Sequence, residues 1–307
     1  MEITQLRTLI HVAELGSLSK AADRLRIAQP ALSRQIRMLE EELGLRLFTR
    51  HGRGMVLTEP GSVVLKHALR VMAELDEIRA SAADGLAVLR GHVSIGLPPT
   101  VADILSVPLA DAFRATHPQA TLRLVSAYTG YLLDWMLRGE IDLAILYDTR
   151  STRAIRSKPL LQETLFLIGP AGAGFSPERP VAFTDLHGQR MLLPSHGHGL
   201  RNIVERSAQN AGIVLDVAVE ADSYATLKDL VRHGHGWTIL PLAPIHADIA
   251  AGTLTGAPLT GPAVQRQLGL CSPTDRPTSR LACFAGEAIT GIASDLVARG
   301  IWSGQML

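Results

Sequence analysis

The chain holds little cysteine, almost no net charge and no long apolar run. Its 307 residues include two cysteines, Cys271 and Cys283, too few for the disulfide framework that secreted proteins of this size more often carry. A reducing compartment follows as the expectation. A formal net charge of +1 excludes bulk basicity as a means of holding nucleic acid, so any such surface must be a local patch. Met1 to Ala13 mixes Glu2, Arg7 and His11 into its apolar positions, which breaks the apolar core of a signal peptide. No run approaches the ~18 apolar residues that cross a bilayer. No repeat and no low-complexity tract occurs. Cytoplasmic residence without a membrane partner is therefore expected.

What is present is enough apolar material, 47% of residues, for two or three domains with separate cores. Charge is uneven: residues 1–58 carry nine Lys/Arg against six Asp/Glu, a local +3. They read as short helices and a hairpin, and residues 59–89 as one long apolar period. From Gly91 onward β-rich runs at His92–Leu97, Thr121–Ala127, Ile141–Tyr147, Leu165–Ile168, Val217–Val219, Trp237–Leu240 and Leu268–Cys271 alternate with helical stretches. That alternation predicts an α/β fold with a mainly parallel sheet.

Within the first segment, Ser19 is placed to cap a helix over Lys20–Leu25, followed by a tight turn at Arg26–Ala28. A second helix starts near Gln29, with Pro30 in its first turn, where a missing N–H costs nothing. Leu32, Ile36, Leu39 and Leu43 form its apolar stripe, leaving Gln29, Ser33, Arg34 and Arg37 off it. Amide, hydroxyl and guanidinium groups on one exposed face suit base edges and phosphates. On an arbitrary helix such arginines are ordinary solvated charges, Arg37 pairing with Glu41. Here they sit on the second helix of a helix-turn-helix, ahead of an Arg50 to Leu57 hairpin that reads as a wing bearing Arg50 and Arg53.

These residues carry a resemblance. Ala22, Leu25, Gln29-Pro30-Ala31-Leu32-Ser33, Ile36, Leu39-Glu40, Leu43-Gly44, Leu47-Phe48, Arg50, Leu57-Thr58 and Gly61 resemble the N-terminal signature of the LysR-type transcriptional regulators. Weaker likeness in Gly139–Tyr147, Leu193–Arg201 and Ser223–Pro241 is most like the nitrogen-assimilation-control subgroup. The resemblance implies a sequence-specific regulator whose Gln29, Pro30, Ser33 and Arg34 face DNA. One departure is Ala28, where many relatives have a capping Ser, a loss of roughly 1 kcal/mol of local helix stability.

From Val64 the apolar positions Val64, Ala68, Val71, Leu75, Ile78, Ala82, Gly85 and Leu89 alternate steps of four and three, the period of a coiled-coil seam. Packing of this helix on its own domain is the competing reading. A seam would join two chains over the half-sites of an interrupted palindrome in double-stranded DNA. Thr58 is placed to cap the helix, with Glu59 and Pro60 in its first turn. The expected domains are 1–58 (winged helix-turn-helix), 59–90 (linker, dimerisation) and 91–307 (regulatory). The resemblance further implies a homotetramer, RNA polymerase as a partner if the output is activation, and a regulatory domain like a type II periplasmic binding protein. Its lobes would be about 91–161 with 268–307, and about 162–267, with a small-molecule effector between them.

Loops at the carboxyl edge of an open α/β sheet collect ligands. Pro99 and Thr100, Tyr128 and Thr129, and Ser195, His196 and His198 stand at three strand-to-helix junctions, with Arg201 just inside the third helix. Hydroxyls and helix N-termini converging there suit a small anion, most simply a carboxylate. Any one of these residues alone is more readily an ordinary turn or cap. By the resemblance Thr100, Thr129, Ser195 and His198 touch the effector, with Tyr147 and Tyr224 as walls.

Other chemistries find less support. The His-Gly-His-Gly runs at His196–Gly199 and His233–Gly236 lack a neighbouring Cys or carboxylate at ligand spacing, so no metal or other cofactor is expected. Only the more distant Arg276 and Arg280 would lower a thiol pKa at Cys271 or Cys283. The glycines of Gly169–Gly174 lack dinucleotide or P-loop spacing, and no Gly-x-Ser-x-Gly elbow occurs, so the chain is not expected to be an enzyme. A transported-solute binder and a regulator without an effector are the remaining alternatives.

Overall fold

The amphipathic stretches of the N-terminal segment fold as α1 (Ile3–Leu15), α2 (Leu18–Leu25) and α3 (Gln29–Leu43), then a hairpin of β1 (Phe48–His51) and β2 (Gly54–Leu57), then the long α4 (Glu59–Ala82). The computed structural model describes residues 1–51, 54–82 and 88–307. The chain divides into two compact units, Met1–His92 with Gln119–Thr121, and Val93–Pro118 with Leu122–Leu307.

The core of the first unit joins Leu6, Leu9 and Val12 of α1, Ala21 and Ala22 of α2, and Leu32, Ile36 and Leu39 of α3. Gly16, left-handed at φ 58, ends α1, and Ser17 then starts α2 from an extended conformation. Its hydroxyl accepts from Lys20 N at 3.4 Å. Ser19 is therefore not the cap: the left-handed glycine brings the helix start forward, and Ser19 falls inside the first turn. Arg26, left-handed at φ 55, closes α2. Ala28 precedes α3 with no side-chain cap, as its methyl requires.

Glu40 ties α3 to the hairpin of β1 and β2. Its buried carboxylate accepts from Leu47 N at 2.8 Å and Phe48 N at 3.2 Å, and pairs with Arg46 at 3.2 Å. Thr58 caps α4, accepting from Gly61 N at 2.9 Å while donating to the Arg46 carbonyl at 2.6 Å. The apolar period of α4 is divided. Val64 and Ala68 pack into the first unit's own core, together with Leu65 and Met72, whereas Val71 and Ile78 are exposed. Packing within the domain thus takes the start of the expected seam. Gly85 and the side chain of Ala82 lie outside what is described.

Gly61 is required where α4 meets the wing, because a Cβ there would stand 2.0 Å from the Leu47 carbonyl oxygen. Backbone must shift to admit it, and overpacking of this kind costs about 1–3 kcal/mol. Gly61→Ala is expected to lower the midpoint of urea unfolding followed by circular dichroism. An unchanged midpoint would show that the Leu47 turn yields freely.

Apart from the first two residues of β3 and of β4, which group with the first unit, the second unit contains β3 (Gly91–Leu97), α5 (Pro99–Thr116), β4 (Ala120–Ser126), α6 (Thr129–Leu137), β5 (Leu143–Tyr147), β6 (Ile155–Pro170), β7 (Val181–Ala182), β8 (Arg190–Leu193), α7 (Gly199–Ala211), β9 (Asp216–Glu220), α8 (Tyr224–Arg232), β10 (Thr238–Pro241), α9 (His246–Ala250), β11 (Leu254–Thr260), β12 (Gln265–Pro273), α10 (Arg280–Ala298) and β13 (Gly304–Met306). The main sheet runs β4-β3-β5-β12-β6-β11-β7, with β10 and β13 also on β6. Pairs β3/β5, β8/β9 and β7/β11 are parallel. β12, β13, β10 and β11 all run antiparallel to β6, and β12 to β5.

The expectation of a mainly parallel sheet is thus corrected to a mixed one. The expected short strand at Leu165–Ile168 is the end of the 16-residue β6. Pro159 within it sits where the pairing with β12 changes register, a place a strand proline tolerates.

Two apolar clusters flank these long strands. One joins Leu165–Ile168 to Leu193, Val204, Leu227 and Leu240, and the other joins Leu132, Met136 and Ile141 to Leu146 and Cys271. α10 is long and apolar enough to cross a membrane by length and composition. It is a core helix, with Leu281, Ala285, Ile289, Ala293 and Leu296 buried and α5 packed beside it.

Candidate functional site

The helix-turn-helix presents the polar face that its periodicity predicts. Leu32, Ile36 and Leu39 are buried, while Gln29, Pro30, Arg34 and Arg37 are exposed and Ser33 is half-buried. Exposed Ser19 reaches this face, its hydroxyl donating to Gln29 Oε1 at 3.2 Å. Arg50 is exposed on β1, and Arg53 lies outside the described residues. Among the described residues Arg34, Arg37 and Arg50 form no ion pair, and the Arg37–Glu41 pair is not made. These guanidinium groups keep their donors for another molecule.

In the second unit the strand-to-helix loops enclose a cavity of ≈ 590 Å³. Tyr128, Thr129, Tyr147, Ser195 and His198 line it. A narrow recess shares Tyr128, Tyr147 and His198 and adds Pro99, Thr100 and Tyr224. His196 does not line either space. It turns toward Glu205, 3.4 Å from its ring, and toward the Arg201 guanidinium at 3.5 Å. Arg201 is itself buried and held by Glu205, Glu220 and the Pro194 carbonyl, which draws His196 away from the ligand space.

At the floor lies a pair that sequence reading missed. Arg266 Nε donates to Glu163 Oε2 at 2.6 Å, and both side chains are nearly inaccessible, at 5% and 2%. Trp302 Nε1 donates to the other Glu163 oxygen at 2.7 Å. The Arg266 guanidinium stacks 3.7 Å over the Tyr147 ring, and its Nη2 lies 3.5 Å from Thr100 Oγ1. Burial opposes the Arg266 charge, but Glu163, Tyr147 and Asp148 together outweigh it and the pKa rises. Burial pushes the Tyr147 phenol up to about 12, so it stays a neutral partner 2.8 Å from Thr100 Oγ1.

The rim is acidic. Asp222, also missed, accepts from Ser195 N at 2.9 Å and Ser195 Oγ at 2.6 Å through one carboxylate oxygen. Those bonds hold its pKa below the usual carboxylate range. Burial pushes the His198 pKa below its usual 6.5, which Asp222 opposes and Arg266 reinforces. The imidazole is thus neutral at pH 7, and its Nδ1 accepts from Leu200 N at 3.2 Å as the cap of α7. Across the cavity Tyr128 donates to the Asp222 carbonyl and Tyr224 to the Asp103 carboxylate. Tyr128 also meets His198 edge to face at 4.9 Å.

An exposed, unpaired cationic helix face and a separate α/β unit enclosing a ligand-sized cavity define a DNA-binding regulator with an effector-binding domain. Comparison with known proteins names its family. Residues 3–62 match the bacterial regulatory helix-turn-helix protein, lysR family, and residues 87–289 match the LysR substrate binding domain. The chain is 32% identical over 258 residues to the nitrogen assimilation regulatory protein nac of Klebsiella aerogenes, across 84% of this chain and 82% of that protein. It is 28% identical over 299 residues to the HTH-type transcriptional regulator BbuR of Bordetella bronchiseptica, across 97% and 92%. A full-length OxyR variant from Pseudomonas aeruginosa has the same fold, with a TM-score of 0.68, 25% identity and 94% of each chain covered. The chain belongs to the LysR family of transcription regulators, and it is not an enzyme.

The floor pair makes a stability prediction. Arg266→Met leaves Glu163 buried with only Trp302 as a donor, and breaking such a pair costs about 3–5 kcal/mol. Replacing both residues, Arg266→Met with Glu163→Leu, removes the orphaned charge and is expected to recover much of that loss. A double-mutant cycle by urea denaturation checks this. Additive losses would mean the two charges are not coupled.

Proposed function

We propose that this regulator reads double-stranded DNA through α3 and the wing, and that a small organic effector held in the cavity sets its output. Residues 1–58 then read an interrupted palindrome, 59–90 join two chains, and 91–307 respond. The responding lobes are about 91–161 with 268–307, and about 162–267. Val71 and Ile78, exposed on α4, supply the dimer seam beyond the part packed at home. Pairing of two such dimers gives a homotetramer, acting in the cytoplasm.

One observation supports the effector reading most directly: tyrosine contacts bridge a cavity whose walls come from loops that precede α5, α6, α7 and α8. A ligand touching both sides shifts the balance of open and closed forms by its difference in affinity for them.

Two variants test the two halves. Arg34→Ala removes an exposed donor group from α3, and loss of a bidentate base contact costs about 1–3 kcal/mol. Gel shifts on a selected operator should weaken accordingly, while equal retention at the same salt would move the reading face elsewhere. Gly130, in the first turn of α6, lines the cavity, and a Cβ there meets nothing within 4 Å. Gly130→Trp adds a bulky ring at the cavity wall, and its Cβ meets no clash. A reporter driven by the selected operator should lose its variation across growth media in this variant. Variation as large as in the parent would remove the cavity from the control of output.

A further inference from the structure

The side chains that the loop sequence offers to an anion in this cavity are already engaged within the chain. Ser195 N and Oγ both donate to Asp222, and Leu200 N, at the start of α7, donates to His198. Thr100 Oγ1 is shared between Tyr147 and Arg266, and Thr129 Oγ1 accepts from Tyr147 N at 3.4 Å. Arg266 faces Glu163 directly, with the charge of Asp148 also acting on it. The anion that the loop sequence calls for is therefore the protein's own, the carboxylate of Asp222.

The exposed polar side chains of the walls are acidic, and they stand beside tyrosines. Asp222 and Asp148 both line the cavity and are exposed. Each uses one carboxylate oxygen, Asp222 toward Ser195 and Asp148 toward Gln267 N at 3.1 Å. Among the described residues the second oxygen of each has no hydrogen-bond partner. The chain has four tyrosines, and all four, Tyr128, Tyr131, Tyr147 and Tyr224, stand around this space. Carboxylate oxygens beside tyrosine faces attract cations, through charge and through the negative ring face. A second carboxylate brought in would meet Asp222 and Asp148 with no uncompensated cation to offset them.

From this arrangement we infer that the effector is an organic cation, a primary ammonium or guanidinium on an apolar or aromatic body. Its charged head lies on Asp222 and Asp148 and its body lies against the tyrosines. The inference rests on the reading of the cavity as the effector site and reverses the anionic ligand expected from the loop sequence.

The test is a matched panel on the full chain at pH 7.5 and constant ionic strength. Benzylamine, phenethylamine and agmatine are compared with benzoate, 3-phenylpropionate and glutarate, by thermal shift and then by calorimetry. The expected result is stabilisation by members of the amine half, with affinity about tenfold or more weaker in Asp222→Asn, which keeps the Ser195 contact. Amines no better than carboxylates overturn the inference, as does amine binding undiminished in Asp222→Asn. Carboxylate binding that Gly130→Trp abolishes would overturn the cationic effector and leave the cavity standing as the effector site. Carboxylate binding that survives Gly130→Trp would count against both.

Discussion

The second unit is organised by one buried interaction, the pair between Glu163 on β6 and Arg266 on β12. Two ions this deep are stable only when their remaining hydrogen-bonding capacity is met. Trp302 donates to Glu163, while Arg266 stacks on Tyr147 and reaches Thr100 with one Nη. The consequence is positional. Strands β5, β6 and β12, the start of α5 and the segment before β13 are all tied to one point under the cavity. Thr100 and Tyr147 become parts of that floor.

Above that floor the charges are arranged in layers. The interior pair is neutral as a unit, and the rim carries Asp148 and Asp222. Tyr128 and Tyr224 reach across to Asp222 and Asp103. Under the proposed function an effector would strengthen or replace those contacts, and its influence on DNA binding would equal its preference for one form over another. In the first unit, Glu40 performs a comparable task by fixing the wing to the recognition helix through two backbone amides.

Much of this was legible in the sequence where a local rule decides it. The period of Leu32, Ile36 and Leu39 gives α3 and its exposed face, and Thr58 gives the start of α4. Local rules fail where a choice depends on distant partners. Ser17 and Ser19 are equally good caps until Gly16 turns left-handed. Strands buried on both faces read the same whether parallel or antiparallel, so the direction of β12 against β5 and β6 was hidden. Glu163 and Arg266 lie 103 residues apart, and no spacing rule joins them. The Ser195 loop stands at a strand-to-helix junction, as its sequence predicts, but its bond to Asp222 joins two separate loops and has no local signature. His196 was misplaced for the same reason, since Glu205 and buried Arg201 draw it outward.

The central claim is that occupancy of this cavity is coupled to DNA binding. It is tested most directly by footprinting a selected operator with the full chain, with and without a saturating amine found to bind it, in the parent and in Asp222→Asn. The account predicts that the amine changes the length of the footprint or the operator affinity in the parent, and that Asp222→Asn does not respond at the same amine concentration. An amine that fills the cavity yet leaves footprint and affinity unchanged would contradict it.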